Sequence, residues 1–85
     1  MGLDLVEMVY RIEEEFEIIL PDEECEKMTT PRHVIDYLMN RQEINAKWSR
    51  DYVSITVWQI IEDEGGVSRK DFYDDSRFIE DMGMG

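Results

Sequence analysis

The chain has 85 residues, a length for one small domain that buries about 60–65% of its unfolded surface. Hydrophobic residues make up 42% and aromatic ones 11%, enough for a modest core and too many for a disordered segment. Its 21 acidic residues against 9 basic ones give a net charge of −12, which excludes the basic footprint of a nucleic-acid binder and favours a protein partner with a basic patch.

Cys25 is the single cysteine, so neither a disulfide framework nor a zinc site of the usual spacing is expected. No apolar run approaches the ~20 residues of a membrane span, and no signal peptide precedes the first helix. Met1-Gly2 resembles a myristoylation start, but Val6 stands where Ser or Thr is needed. The expectation is a soluble cytoplasmic protein.

In chain order, Met8, Val9, Ile12 and Phe16 fall within about 60° of Leu5 at ~100° per residue, the core stripe of a first helix. Leu3, Val6 and Tyr10 lie on another face, among Glu7, Glu13, Glu14 and Glu17. That helix should end near Glu17, because Pro21 disfavours continuation through Leu20. Asp22 then reads as the N-cap of a short helix over residues 23–27. Thr30 as N-cap and Pro31 at the first helical position start another, carrying Val34, Ile35, Leu38 and Met39 to about Arg41.

Residues 42–47 have little periodicity and read as a linker. Ser49 is a candidate cap for a helix carrying Val53, Val57, Ile60 and Ile61, which Gly65-Gly66 stops. Ser68-x-x-Asp71 has the form of a capping box leading to Phe72, and Asp74-Asp75 could cap a last turn carrying Phe78 and Ile79. The glycine-rich tail, residues 81–85, is not expected to hold a helix. The predicted fold is all-α, three longer helices and a short one, without strands.

Three stretches resemble the second, third and fourth helices of the acyl carrier protein family: Leu3-Asp-x-Val-Glu through Glu13-Glu-Glu-Phe16, Ile18-x-Leu-Pro-Asp-Glu-Glu-x-Glu-Lys27, and Thr29-Thr30 followed by Ile35-Asp-Tyr-Leu38. Ile60-Ile61, Gly66-Val67 and Ser76-x-Phe78-Ile-Glu-Asp-Met-Gly83 resemble that family's first helix and the loop after it. In the family that part comes first; here it comes last. The resemblance implies a small acyl-carrier-protein-like bundle, circularly permuted, in a single domain. Residues 1–41 would supply its second to fourth helices, 42–48 a new linker, and 49–85 its first helix and loop. Such a linker reaches roughly 20–25 Å at 3.3–3.6 Å per residue, ample to join two helix ends of a small bundle.

The family carries a phosphopantetheine arm on the Ser of an Asp-Ser-Leu motif. By the same resemblance Gly85 takes the position of that Asp, Gly2 that of the Ser, and Leu3 matches the Leu. The attachment oxygen is missing, and Ser49, Ser54, Ser68 and Ser76 are not followed by Leu. A phosphopantetheine cofactor is therefore not expected. Leu3, Val6 and Tyr10 match positions where the family presents apolar contacts to its enzymes, and Asp4, Glu7, Glu13 and Glu14 match acidic docking positions. The plainer alternative is a solvated acidic helix with scattered apolar residues.

Glu13-Glu14-Glu15 points around a helix rather than converging, so no catalytic carboxylate pair is expected. Asp74-Asp75 and Glu62-Asp-Glu64 lack the spacing of a calcium loop. His33 is read as a surface histidine and Cys25 as a packed thiol. Trp58, off the Val53/Ile60/Ile61 stripe, and Trp48, in the linker, are read as packing residues before partner contacts. The leading functional expectation is a non-catalytic protein that docks to enzymes of fatty-acid, polyketide or related acyl metabolism. A genuine carrier cut from a tandem array and a noncovalent acyl or lipid binder are the alternatives. Both a monomer and a domain-swapped dimer fit the sequence.

Overall fold

Residues 3–85 are described in the computed structural model, and helix is the only regular structure among them. The elements are α1 (Leu3–Phe16), α2 (Asp22–Cys25), α3 (Pro31–Met39), α4 (Gln42–Asn45) and α5 (Arg50–Gly65), followed by a 3-10 turn at Arg69–Asp71. α5 packs against both α1 and α3, with α4 beside α3. The chain is thus an all-α small helical bundle, as its periodicity predicts.

The core is built from the expected stripes. Leu5, Met8, Val9, Ile12 and Phe16 of α1 are all buried, as are Val34, Ile35 and Leu38 of α3 and Val53, Val57, Ile60 and Ile61 of α5. Three end signals also act as read. Thr30 Oγ1 accepts from the His33 N–H at 3.2 Å with Pro31 opening α3, and Ser49 Oγ accepts from the Tyr52 N–H at 3.2 Å. Gly66, at φ 64°, closes α5 in the left-handed conformation that glycine takes without steric cost.

The end of α1 falls beside the expected Glu17, whereas other boundaries differ, each for a local reason. α1 stops at Phe16, because Glu17 turns left-handed at φ 54° and the Ile18 N–H bonds back to the Glu13 carbonyl at 3.1 Å. This is a Schellman closure made with a non-glycine residue. Asp22 is the first residue of α2 rather than its cap, since the Pro21 carbonyl already accepts from Glu24 and Cys25. α3 ends at Met39, two residues short of the expected Arg41.

The 42–47 stretch is not irregular. It holds the single turn α4, which inserts the fully buried Ile44 beside α3. Ser68 makes no capping bond; the Arg69 N–H donates instead to Glu62 Oε2 at 2.9 Å, pinning the 3-10 turn to α5. Asp74 and Asp75 do not cap a helical turn. Asp74 Oδ1 accepts from Trp58 Nε1 at 2.8 Å, and Asp75 pairs with Arg32 at 2.6 Å.

The tail packs without helix. Phe78, Met82 and Met84 are buried, the Phe78 N–H donates to the Thr29 carbonyl at 3.0 Å, and the Arg32 N–H donates to the Asp74 carbonyl at 2.9 Å. Trp58 is buried although it lies off the main α5 stripe, because α5 is covered on more than one face. Trp48 meets Phe16 edge-on, ring centroids 5.3 Å apart, and stacks on Tyr52 at 6.1 Å. Both tryptophans pack, and Trp48 fastens the connection between α4 and α5.

Candidate functional site

α1 separates two surfaces. Its outer side carries one ridge at helical spacing: Leu3, then Val6 and Glu7, then Tyr10, then Glu14. Leu3 is 71% exposed and Tyr10 58%, large fractions for apolar side chains on a helix whose other face is fully packed. Val6 and Asp4 are half-buried, and Glu7 and Glu14 are exposed. The one cation of the helix, Arg11, is turned to α5, where its guanidinium binds Asp63 and Glu64, each at 3.0 Å. Its hydrogen bonds to Glu64 and then Asp63 raise its pKa further above the ordinary range. The outer ridge is thereby left to apolar and acidic groups.

Glu13 has another task. Its Oε2 accepts from the Leu20 N–H at 2.8 Å while its carbonyl receives Ile18, so this residue organises the turn out of α1. Among the seven expected docking residues it is the one whose carboxylate is committed to the chain itself. Gly2, the expected attachment position, lies outside the described residues, and Gly85 is exposed beside the fully buried Met84.

The inner side of α1 roofs a cavity of about 230 Å³. Leu5, Met8, Val9 and Ile12 line it from α1, Leu20, Cys25 and Met28 from the segment around α2, Val34 from α3 and Phe78 from the tail. It reaches the surface where Glu26, Thr29, Ile79 and Glu80 stand exposed. The Cys25 thiol lines the wall and lies 3.7 Å from the Leu20 carbonyl, a weak S–H donation. Burial, then the nearby charges of Glu13, Asp22 and Glu24, push its pKa up, so the thiol stays neutral at physiological pH.

A wider polar groove runs between Arg32, Trp58, Arg69 and residues 72–76. Its cations are engaged within the fold: Arg32 with Asp75, and Arg69 over the Trp58 ring at 5.5 Å. His33 is exposed, with Nδ1 3.2 Å from Thr29 Oγ1. Among the described residues no cluster of three or more His, Cys, Asp or Glu is placed to hold a metal ion, and no helix is long and apolar enough to cross a membrane.

The cavity is not legible in the sequence, because its walls come from four separate segments, the last of them more than forty residues beyond the others, and each reads as ordinary core. No family model matches the chain, and no solved structure matches it.

Proposed function

We propose that this protein acts by docking, presenting the outer ridge of α1 to a basic patch on an enzyme of fatty-acid, polyketide or related acyl metabolism, without carrying a phosphopantetheine arm. The observation that carries the reading is the ridge itself. Leu3, Val6 and Tyr10 sit outward in a ring of Asp4, Glu7 and Glu14, on a helix whose only cation is tied down elsewhere. In such an interface the apolar centre supplies affinity, and the acidic rim sets association rate and selectivity.

The permuted acyl-carrier-like order belongs to the same proposal. It is supported by the sequence likeness, and by chain turns at Pro21 and Thr30 where that likeness puts the ends of successive helices. Gly2 in place of the attachment serine supports the absence of the arm.

Two readouts test the proposal. Intact mass after incubation with coenzyme A and a phosphopantetheinyl transferase should stay unchanged; a gain of one arm overturns the armless reading and makes the chain a carrier. Competition with a carrier protein at a carrier-dependent enzyme should be lost in Tyr10→Ala and in Glu7→Lys. Inhibition unaltered by both substitutions would remove the ridge from the account.

A further inference from the structure

The cavity inside α1 has a mouth whose chemistry differs from its walls. The walls are hydrocarbon and sulfur, whereas the exposed rim carries two carboxylates, Glu26 and Glu80, and the Thr29 hydroxyl. Among the described residues no Lys, Arg or His lines it. Glu80 is partly offset by Arg77 at 3.5 Å, but Arg77 also serves Asp81 at 3.7 Å, and all three side chains are largely exposed. Lys27, beside Glu26 in sequence, pairs with Glu24 at 3.8 Å. The long-range field has the same sign as the rim, because the chain carries −12.

We propose that the cavity binds a short apolar amine, with its hydrocarbon body among Leu5, Val9, Leu20 and Val34 and its ammonium at the Glu26–Glu80 rim. A free carboxylate of the same length is disfavoured. The proposal is independent of the docking reading, since it concerns the inner side of α1 and the tail. Size sets the body: a dry cavity of about 150 Å³ accepts benzene, so about 230 Å³ admits about nine heavy atoms by proportion. Apolar burial supplies affinity for any such molecule, and the head group decides among them. An exposed ion pair changes affinity a few-fold, so gaining one for an ammonium and opposing one for a carboxylate separates the two by about tenfold.

The test uses the full chain with n-octylamine, 1-octanol and octanoate at matched ionic strength, followed by calorimetry and by NMR. Octylammonium should bind one saturable site about tenfold more tightly than octanoate, with octanol between them. Intermolecular NOEs should run from its alkyl protons to the Leu5, Val9, Leu20 and Val34 methyls. Replacing both rim acids, Glu26→Gln with Glu80→Gln, should bring the three affinities together while the NOEs persist. These exposed substitutions leave the core alone, so the comparison does not depend on a cavity-filling variant that fails to fold. Octanoate binding as tightly as octylammonium, no saturable site for any of the three, or NOEs to Leu3 and Tyr10 instead of the cavity methyls would each overturn the proposal. Loss of competition at a carrier-dependent enzyme, by contrast, bears on the docking ridge alone.

Discussion

The Trp58 indole N–H donates to Asp74 Oδ1 at 2.8 Å, tying the middle of α5 to the tail that supplies Phe78 to the cavity wall. The same residue's carbonyl accepts from the Arg32 N–H at 2.9 Å, so Asp74 joins α5, α3 and the tail at one point. Asp74→Ala leaves a buried indole donor without its partner and should cost about 1.5–3 kcal/mol, the range for a hydrogen bond to a charged acceptor. Urea unfolding measures it. A loss below about 0.5 kcal/mol would mean that water replaces the carboxylate without penalty.

Among the described residues Glu17 is the one non-glycine residue in the left-handed region, at φ 54°. A side chain there costs roughly 1–2 kcal/mol, partly recovered in the unfolded chain, so Glu17→Gly should gain about 0.5–1 kcal/mol. For a domain of this size the melting temperature should rise by a few degrees, about 4–8 °C per kcal/mol. A fall would show that the Schellman closure between Ile18 and Glu13 is not retained in solution.

The acids of α1 should separate into two kinds. Glu13→Ala removes the acceptor of the Leu20 N–H at 2.8 Å and should cost about 1 kcal/mol. Glu7→Lys and Glu14→Lys change exposed positions and should leave stability within about 0.5 kcal/mol while weakening association with a basic partner. Chemical denaturation and association-rate measurements on the same three variants check the division. Equal destabilisation by all three would contradict it.

Stability should depend on pH at both ends. Arg32 holds the Asp75 carboxyl below its ordinary range, and Arg41 does the same for Glu43. Groups shifted down contribute stability above their unfolded pKa and lose it as pH falls through the folded value, so the small contribution of these two exposed pairs should fade below about pH 4. Cys25 is shifted up, so its contribution is complete below the unfolded thiol pKa and is lost as pH rises above about 9. Iodoacetamide alkylation of Cys25 at pH 7.5 should run well below the rate of an exposed thiol, and Cys25→Ala should flatten the alkaline limb of a melting curve. Between these limits added salt should raise the melting temperature, because it screens the repulsion within a chain of net charge −12.

Much of the bundle was legible because burial is one-sided where the pattern is clear. α1 shows its core stripe since only one face packs, and Thr30-Pro31, Ser49 and Gly66 mark ends through chemistry that acts within a turn. α4 was not legible because one turn has no period to detect, yet Ile44 is fully buried. Asp74 and Asp75 looked like a local cap and instead reach Trp58 and Arg32, partners that adjacency in sequence cannot suggest. Glu13 looked like its acidic neighbours until the turn folded back upon it. The outer ridge of the site was visible as a pattern; the cavity behind it depends wholly on tertiary assembly.

The most direct test of the docking account is an NMR titration of the isotope-labelled full chain with a carrier-dependent enzyme of acyl assembly. Saturable broadening or shifts should centre on Leu3, Asp4, Val6, Glu7, Tyr10 and Glu14, with Glu13 changed less, and should weaken as salt is added. No binding, or perturbations centred on another face of the bundle with the α1 ridge unmoved, would contradict it.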